Sequence, residues 1–352
     1  MLRLCLKIDR VVIYKMNEKF KILSIDGGGM RGIIPAKILC ELEEELQRRE
    51  GPEARLCDYF DLICGTSTGG IIAIGLALGM SAKEMLNLYV AHGKEIFSAT
   101  LLQRVKSRTL YNREALKNHL QQAYGDTRID DCRTRICVPT YDMHEGRIHV
   151  LKTKHHPEYV RDYHIPTVDV ALSTSAAPVY FSPYSFEYSN IGSDNTNHAY
   201  HYIDGGVFAN NPSLIGLTEA LYCLNVPMEQ IELLSIGTGE LLLRETEIEK
   251  KMGFAYWLHP KSKDGFRIYE LVSSAQSLNI HNTMTMLCKG AGNSVERRFN
   301  YIRLQSTLSK QIDLDATDKN SIKELMLIGQ SLYKDNATRL YPFIETKITP
   351  YK

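Results

Sequence analysis

The chain alternates between short apolar runs and longer segments in which apolar residues return every three or four positions. Leu2, Leu4, Leu6 and Ile8 recur at strand period before a polar break at Met16-Asn17-Glu18-Lys19. Residues 1–19 therefore read either as an added strand or as an artefact of start-site choice, since Met16 can itself start translation. From Phe20 the pattern is regular. Phe20–Ile25 reads as a buried strand, and Ile34, Ile38, Leu39, Leu42 and Leu46 then mark one face of a helix over about 33–49, with glutamates opposite. A second strand, Phe60–Cys64, runs through a glycine turn into an apolar helix beginning near Gly70. Further strands are predicted at Arg135–Tyr141, Arg147–Leu151, His201–Ile203, Ile231–Ile236 and Tyr301–Leu304. Helices are predicted near 81–91, 112–123, 167–176, 212–224, 266–288 and 318–334. This alternation predicts an α/β fold, a three-layer α/β/α sandwich with a largely parallel central sheet. Ser189–His198, rich in Asn and Ser, reads as a surface insertion.

Composition narrows the classes. With 352 residues, 44% hydrophobic and 24% charged, the chain is an ordinary globular protein able to bury a large core. Lys and Arg number 42 against 41 Asp and Glu, so no global field exists to hold a nucleic-acid polymer. The eight cysteines form no CxxC pair, which argues for reduced thiols, a cytoplasmic location and no metal site. Lys7, Asp9 and Arg10 interrupt any signal-like apolar stretch. The longest uncharged apolar stretch, Ile71 to Met80, is about half of what a bilayer-spanning helix needs.

Two glycine turns carry the chemistry. Ile25-Asp26-Gly27-Gly28-Gly29-Met30-Arg31-Gly32 joins a strand to a helix, where backbone N–H groups converge on an anion. Gly27, Gly29 and Gly32 satisfy GxGxxG, but the acid that a dinucleotide fold requires about 20 residues later has no strand end to sit on. A phosphate loop fails because Ile33-Ile34 follows Gly32. A plain turn and an oxyanion cradle remain. Gly65-Thr66-Ser67-Thr68-Gly69 fits GxSxG between strand and helix, with Gly65 and Gly69 leaving room for the chain to fold back around an outward-pushed serine. A serine needs a base. Chain order in nucleophile-elbow hydrolases nominates His259 or His281, whereas Tyr202-Ile203-Asp204-Gly205-Gly206 ends a strand on an aspartate beside two glycines.

Taken with Ser173-Thr174-Ser175-Ala176-Ala177-Pro178, Ala209-Asn210-Asn211-Pro212 and Ser235-Ile236-Gly237-Thr238-Gly239, these motifs resemble the patatin-like phospholipase family over roughly residues 20–305. The resemblance implies a calcium-independent lipid acyl hydrolase with no cofactor. Ser67 would be the nucleophile and Asp204 the base, Gly27, Gly28, Gly29 and Arg31 would surround the oxyanion, and Gly205 and Gly206 would support the loop. It implies a phospholipid or related lipid ester as substrate, met by peripheral membrane contact. Some compact relatives are effectors switched by cyclic nucleotides, so a cyclic-nucleotide activator is an expectation too. The alternatives are a Ser-His-Asp esterase and a non-catalytic storage protein of the same fold, and homo-oligomerisation stays open. Because positions 27, 67 and 204 must meet, 20–305 is expected to be one catalytic domain, with 306–352 a helical extension packed on it. Gly253-Phe254-Ala255-Tyr256-Trp257-Leu258 reads either as an interfacial aromatic segment or as one packed on the sheet. An unperturbed aspartate titrates near 3.9, so the acid limb of activity is expected to follow a carboxylate.

Overall fold

The computed structural model describes residues 19–97, 110–193, 195–240, 253, 256–257, 267–289, 297–310 and 312–352. His259 and the proposed N-terminal strand lie outside the described residues. In chain order the main elements are β1 (Phe20–Ile25), α1 (Ile33–Glu50), β2 (Leu62–Gly65), α2 (Thr68–Ala77), α3 (Ala82–Ile96), α4 (Glu114–Tyr124), β3 (Arg135–Asp142), β4 (Arg147–Lys152) and α5 (Thr167–Thr174). They continue with β5 (Tyr184–Ser189), β6 (Thr196–Asp204), α6 (Gly206–Ala209), α7 (Ser213–Thr218), β7 (Ile231–Ile236), α8 (Arg267–Lys289), β8 (Asn300–Leu304) and α9 (Lys319–Leu340).

One eight-stranded sheet runs in the order β5-β6-β3-β2-β1-β7-β8, with β4 also on β3. The core pairs β2–β1, β1–β7, β7–β8 and β2–β3 are parallel, whereas β4, β5 and β6 pair antiparallel. Strand alternation sorts the core onto two faces. Leu23, Ile25, Ile63, Ile136, Leu234 and Ile236 face α1 to α5 and α9. Phe20, Ile22, Leu62, Leu233 and Tyr301 face α7 and α8. Among the described residues no helix is long and apolar enough to cross a membrane.

Ser189–His198 is not an irregular insertion. Ser189 ends β5 and Thr196 opens β6, the two paired directly, so the stretch is the tip of a hairpin. Its Asn and Ser content hid strands that are exposed on one side. Trp257 is half-buried, edge-on to Tyr256 with ring centroids 5.0 Å apart.

The position of β6 shapes everything that follows. Cys137 of β3 pairs with Cys64 of β2 and with Lys152 of β4, while Thr140 pairs with Asp204 of β6 and with His149 of β4. β2 and β6 therefore occupy the same edge of β3 and run toward each other, C-terminus to C-terminus. Only Val138 and Pro139 separate their last paired rungs. Proline inside a central strand normally forfeits a ladder bond. Pro139 falls where β2 has ended and β6 has not begun, so none is lost.

Candidate active site

Both converging strands end in tight glycine turns. A Cβ at Gly65 would collide with the Gly69 carbonyl, one at Gly69 with the Ile25 carbonyl, and one at Gly205 with the Pro139 carbonyl. Between Gly65 and Gly69 the chain reverses through Ser67 at φ 56°, ψ −123°, a conformation that is costly for a residue with a side chain, by about 1–3 kcal/mol. A bridge helps to hold it there. The Ser67 N–H donates to Thr174 Oγ1 at 2.9 Å, and the Thr174 hydroxyl donates to the Pro139 carbonyl at 2.7 Å.

Ser67 and Asp204 line one cavity of about 260 Å³. Asp204 is fully buried, with Oδ1 accepting the Gly206 N–H at 2.7 Å. Oδ2 is buried and has no partner of full hydrogen-bond geometry. Burial pushes the Asp204 carboxyl up to about 7, against weaker downward pulls from the Ser67 hydroxyl, the Gly206 N–H and the Tyr269 hydroxyl. Among the described residues no cation contributes.

The glycine loop forms another wall of the cavity, and its three N–H groups differ. Gly27 donates to the Asn210 carbonyl at 3.1 Å, so its N–H is already committed. Its carbonyl accepts the Thr238 hydroxyl at 2.7 Å, which clamps the loop. The N–H groups of Gly28 and Gly29 have no protein acceptor among the described residues, while Met30 donates to the Leu314 carbonyl at 2.7 Å. Gly29 takes φ 55°, and a Cβ there would strike Leu314. Arg31 reaches the cavity but is tied to Glu270 at 3.0 Å, both side chains buried. The apolar side of the cavity is built by Ile71, Tyr89, Ile96, Phe97, Leu116 and Phe181.

Of the two nominated histidines, only His281 is described. It lines the cavity, yet its Nδ1 is 3.2 Å from the Tyr301 hydroxyl, and among the described residues no imidazole acts on the Asp204 carboxyl. Sequence reasoning missed Arg303, whose guanidinium grips buried Asp26 at 2.7 and 2.6 Å. It quoted Thr174, Asn210 and Thr238 within motifs without seeing that they hold the two loops. Nothing in a lone arginine within Tyr301–Leu304 signals a partner 277 positions away.

A mixed, mostly parallel sheet covered on both faces, with a strained serine between strand and helix at its edge, is the framework of a lipid hydrolase. The chain belongs to the patatin-like phospholipase family, whose model matches residues 23–216. It is 30% identical to a protein named cGAMP-activated phospholipase from Escherichia coli (strain TW11681), across 89% of this chain and 88% of that one. A protein of the same name from Vibrio cholerae serotype O1 is 29% identical, across 92% and 93%. Patatin-like protein 2 of Oryza sativa subsp. indica is 30% identical, across 92% and 86%.

Proposed function

We propose that this enzyme cleaves carboxylic ester bonds of phospholipids in the manner of a phospholipase A, without calcium, through a Ser67-Asp204 dyad and an acyl-enzyme. The observation that carries this is a strained serine sharing a cavity with a buried carboxylate that no cation neutralises. Ser67 Oγ attacks the ester carbonyl while its proton passes to Asp204. The developing oxyanion takes hydrogen bonds from the uncommitted N–H groups of Gly28 and Gly29. Collapse expels the alcohol, which leaves with that proton, and water activated by the same carboxylate then hydrolyses the acyl-enzyme. A base near 7 suits neutral pH, because about half of it is ionised there and it is basic enough to draw a proton. The acyl chain lies along Ile71, Tyr89, Ile96, Phe97 and Leu116.

The decisive experiment is labelling with a serine-reactive fluorophosphonate, followed by peptide mapping. Modification at Ser67, lost in Ser67→Ala along with vesicle hydrolysis and unaffected by EDTA, is the expected result. Labelling elsewhere, or activity that EDTA abolishes, overturns the reading.

The names of the two bacterial relatives support a second element, that a cyclic dinucleotide raises turnover and makes the protein a switched, membrane-degrading effector. Hydrolysis of phospholipid vesicles should rise with one member of a panel of cyclic di- and trinucleotides. A flat response across the panel removes this element and leaves the hydrolase intact.

A further inference from the structure

We propose that His92, Glu95 and His119 form a binding site for a divalent transition-metal ion that links α3 to α4, two helices that carry part of the acyl-cavity wall. His92 and Glu95 are three residues apart on α3 and so share one helix face. His119 comes from the adjacent face of α4. One ligand atom from each lies within 4.8 Å of the other two. His119 Nε2 is 2.8 Å from Glu95 Oε2, and the two imidazoles stack with centroids 4.0 Å apart at 27°. Two imidazoles and one carboxylate suit zinc, cobalt or nickel rather than calcium or magnesium, which require oxygen ligands. Three protein ligands leave a coordination position for water, and the half-buried histidines and exposed carboxylate give the ion a path from solvent.

A second trio with ligand spacing, Cys137, His155 and Glu219, is of another kind. Glu219 there is buried and held by His155 at 2.9 Å and by Tyr159 and Lys152 at 2.6 Å each, whereas Glu95, which His119 also engages, is exposed to solvent. That buried network neutralises its own carboxylate without an ion.

The consequence of the α3–α4 site follows from what the inner faces of these helices do. Tyr89 and Ile96 of α3, Phe97 at its end and Leu116 of α4 are cavity wall. His92 and His119 lie one turn from these positions, so an ion joining the two helices there resists separation of that wall, slows entry of an acyl chain and acts as an inhibitor. This inhibitory arm rests on the acyl-site reading above. The binding arm does not.

The test uses the full chain, stripped with EDTA and exchanged into metal-free buffer. Calorimetric titration with zinc should show one saturable site per chain, and cobalt should give a visible spectrum without a sulfur-to-cobalt charge-transfer band. His119→Asn and the exposed-site variant Glu95→Gln should each weaken zinc binding by about tenfold or more. They should keep the metal-free rate on a soluble chromogenic ester and lose zinc inhibition in parallel. Absence of a saturable site, or binding unchanged in both variants, overturns the site. A cobalt–thiolate band that persists in both would move the ion to Cys137. Zinc binding without inhibition would keep the site and remove its effect on the cavity, and with it the part that depends on the acyl reading.

Discussion

Asp26 and Asp204 stand at strand ends in the same cavity, both carboxylates fully withdrawn from water and both raised by burial, yet the protein partners them differently. Asp26 closes β1 and meets a guanidinium. Burial raises its carboxyl, and the two-pronged contact with Arg303 and the Ser277 hydroxyl pull it only part of the way back. Asp204 closes β6 and, among the described residues, meets only uncharged donors, and burial raises it to about 7. Identical chemistry at equal depth is a structural anchor in one place and, in the mechanism proposed above, a proton acceptor in the other. The difference lies in whether a cation was built beside it.

The same substitution should therefore give opposite results at the two sites. Asp204→Asn is expected to lower turnover by roughly 10⁴-fold while the protein stays folded. Asp26→Asn should destabilise by about 3–5 kcal/mol, because Arg303 would remain buried without its counter-charge. Thermal melts beside initial rates separate the two. Equal loss of stability in both variants would erase the contrast.

The pH dependence sharpens it. Below about 3.9 Asp204 is protonated whether the chain is folded or not. As pH rises toward 7 the unfolded chain ionises while the folded one keeps its proton, so stability falls across that window and levels off above it. The shift amounts to on the order of 4 kcal/mol. Asp204→Asn should therefore melt higher than the parent above pH 7 and lose that advantage near pH 4. Activity should show an acid limb near 7, since the base must be ionised. An imidazole also titrates there, so position alone does not identify the group. A limb that barely moves with temperature marks a carboxylate.

Smaller effects probe the walls. Gly28→Ala places a methyl group against the Thr238 side chain and should cost about 10²–10³ in turnover by displacing the loop, with little change in affinity for a product fatty acid. His281→Ala should change turnover by less than about tenfold, because its Nδ1 faces Tyr301 and it does not act on Asp204. A loss as large as that of Asp204→Asn would restore a histidine mechanism.

The central strands were legible because parallel strands covered on both faces read as unbroken apolar runs. Phe20–Ile25 and Ile231–Ile236 are of this kind. β5 was invisible, and β6 was seen only in its last residues. Tyr184–Ser189 and Thr196–Asp204 largely alternate buried with exposed positions, and the exposed ones are Ser, Glu, Thr, His and Tyr. The two glycine motifs located the loops but not the direction of each amide. That depends on Asn210 and Leu314, which reach the loop from far along the chain. Nor could the burial that moves Asp204 be read from Tyr202-Ile203-Asp204, since it is produced by α8 and the loops around it.

The head-on meeting of β2 and β6 turns β3 into a ruler. The spacing of the turns that carry Ser67 and Asp204 is counted in residues of a third strand, two of them, rather than left to loops that drift independently. When the sheet flexes, both ends ride on the same support and their separation is preserved. Adding or deleting a single residue at Val138-Pro139 would change that separation by about 3.3 Å and turn the following side chains to the opposite face. Such a length change, remote from both functional groups in sequence, is a lesion the enzyme could not relax away.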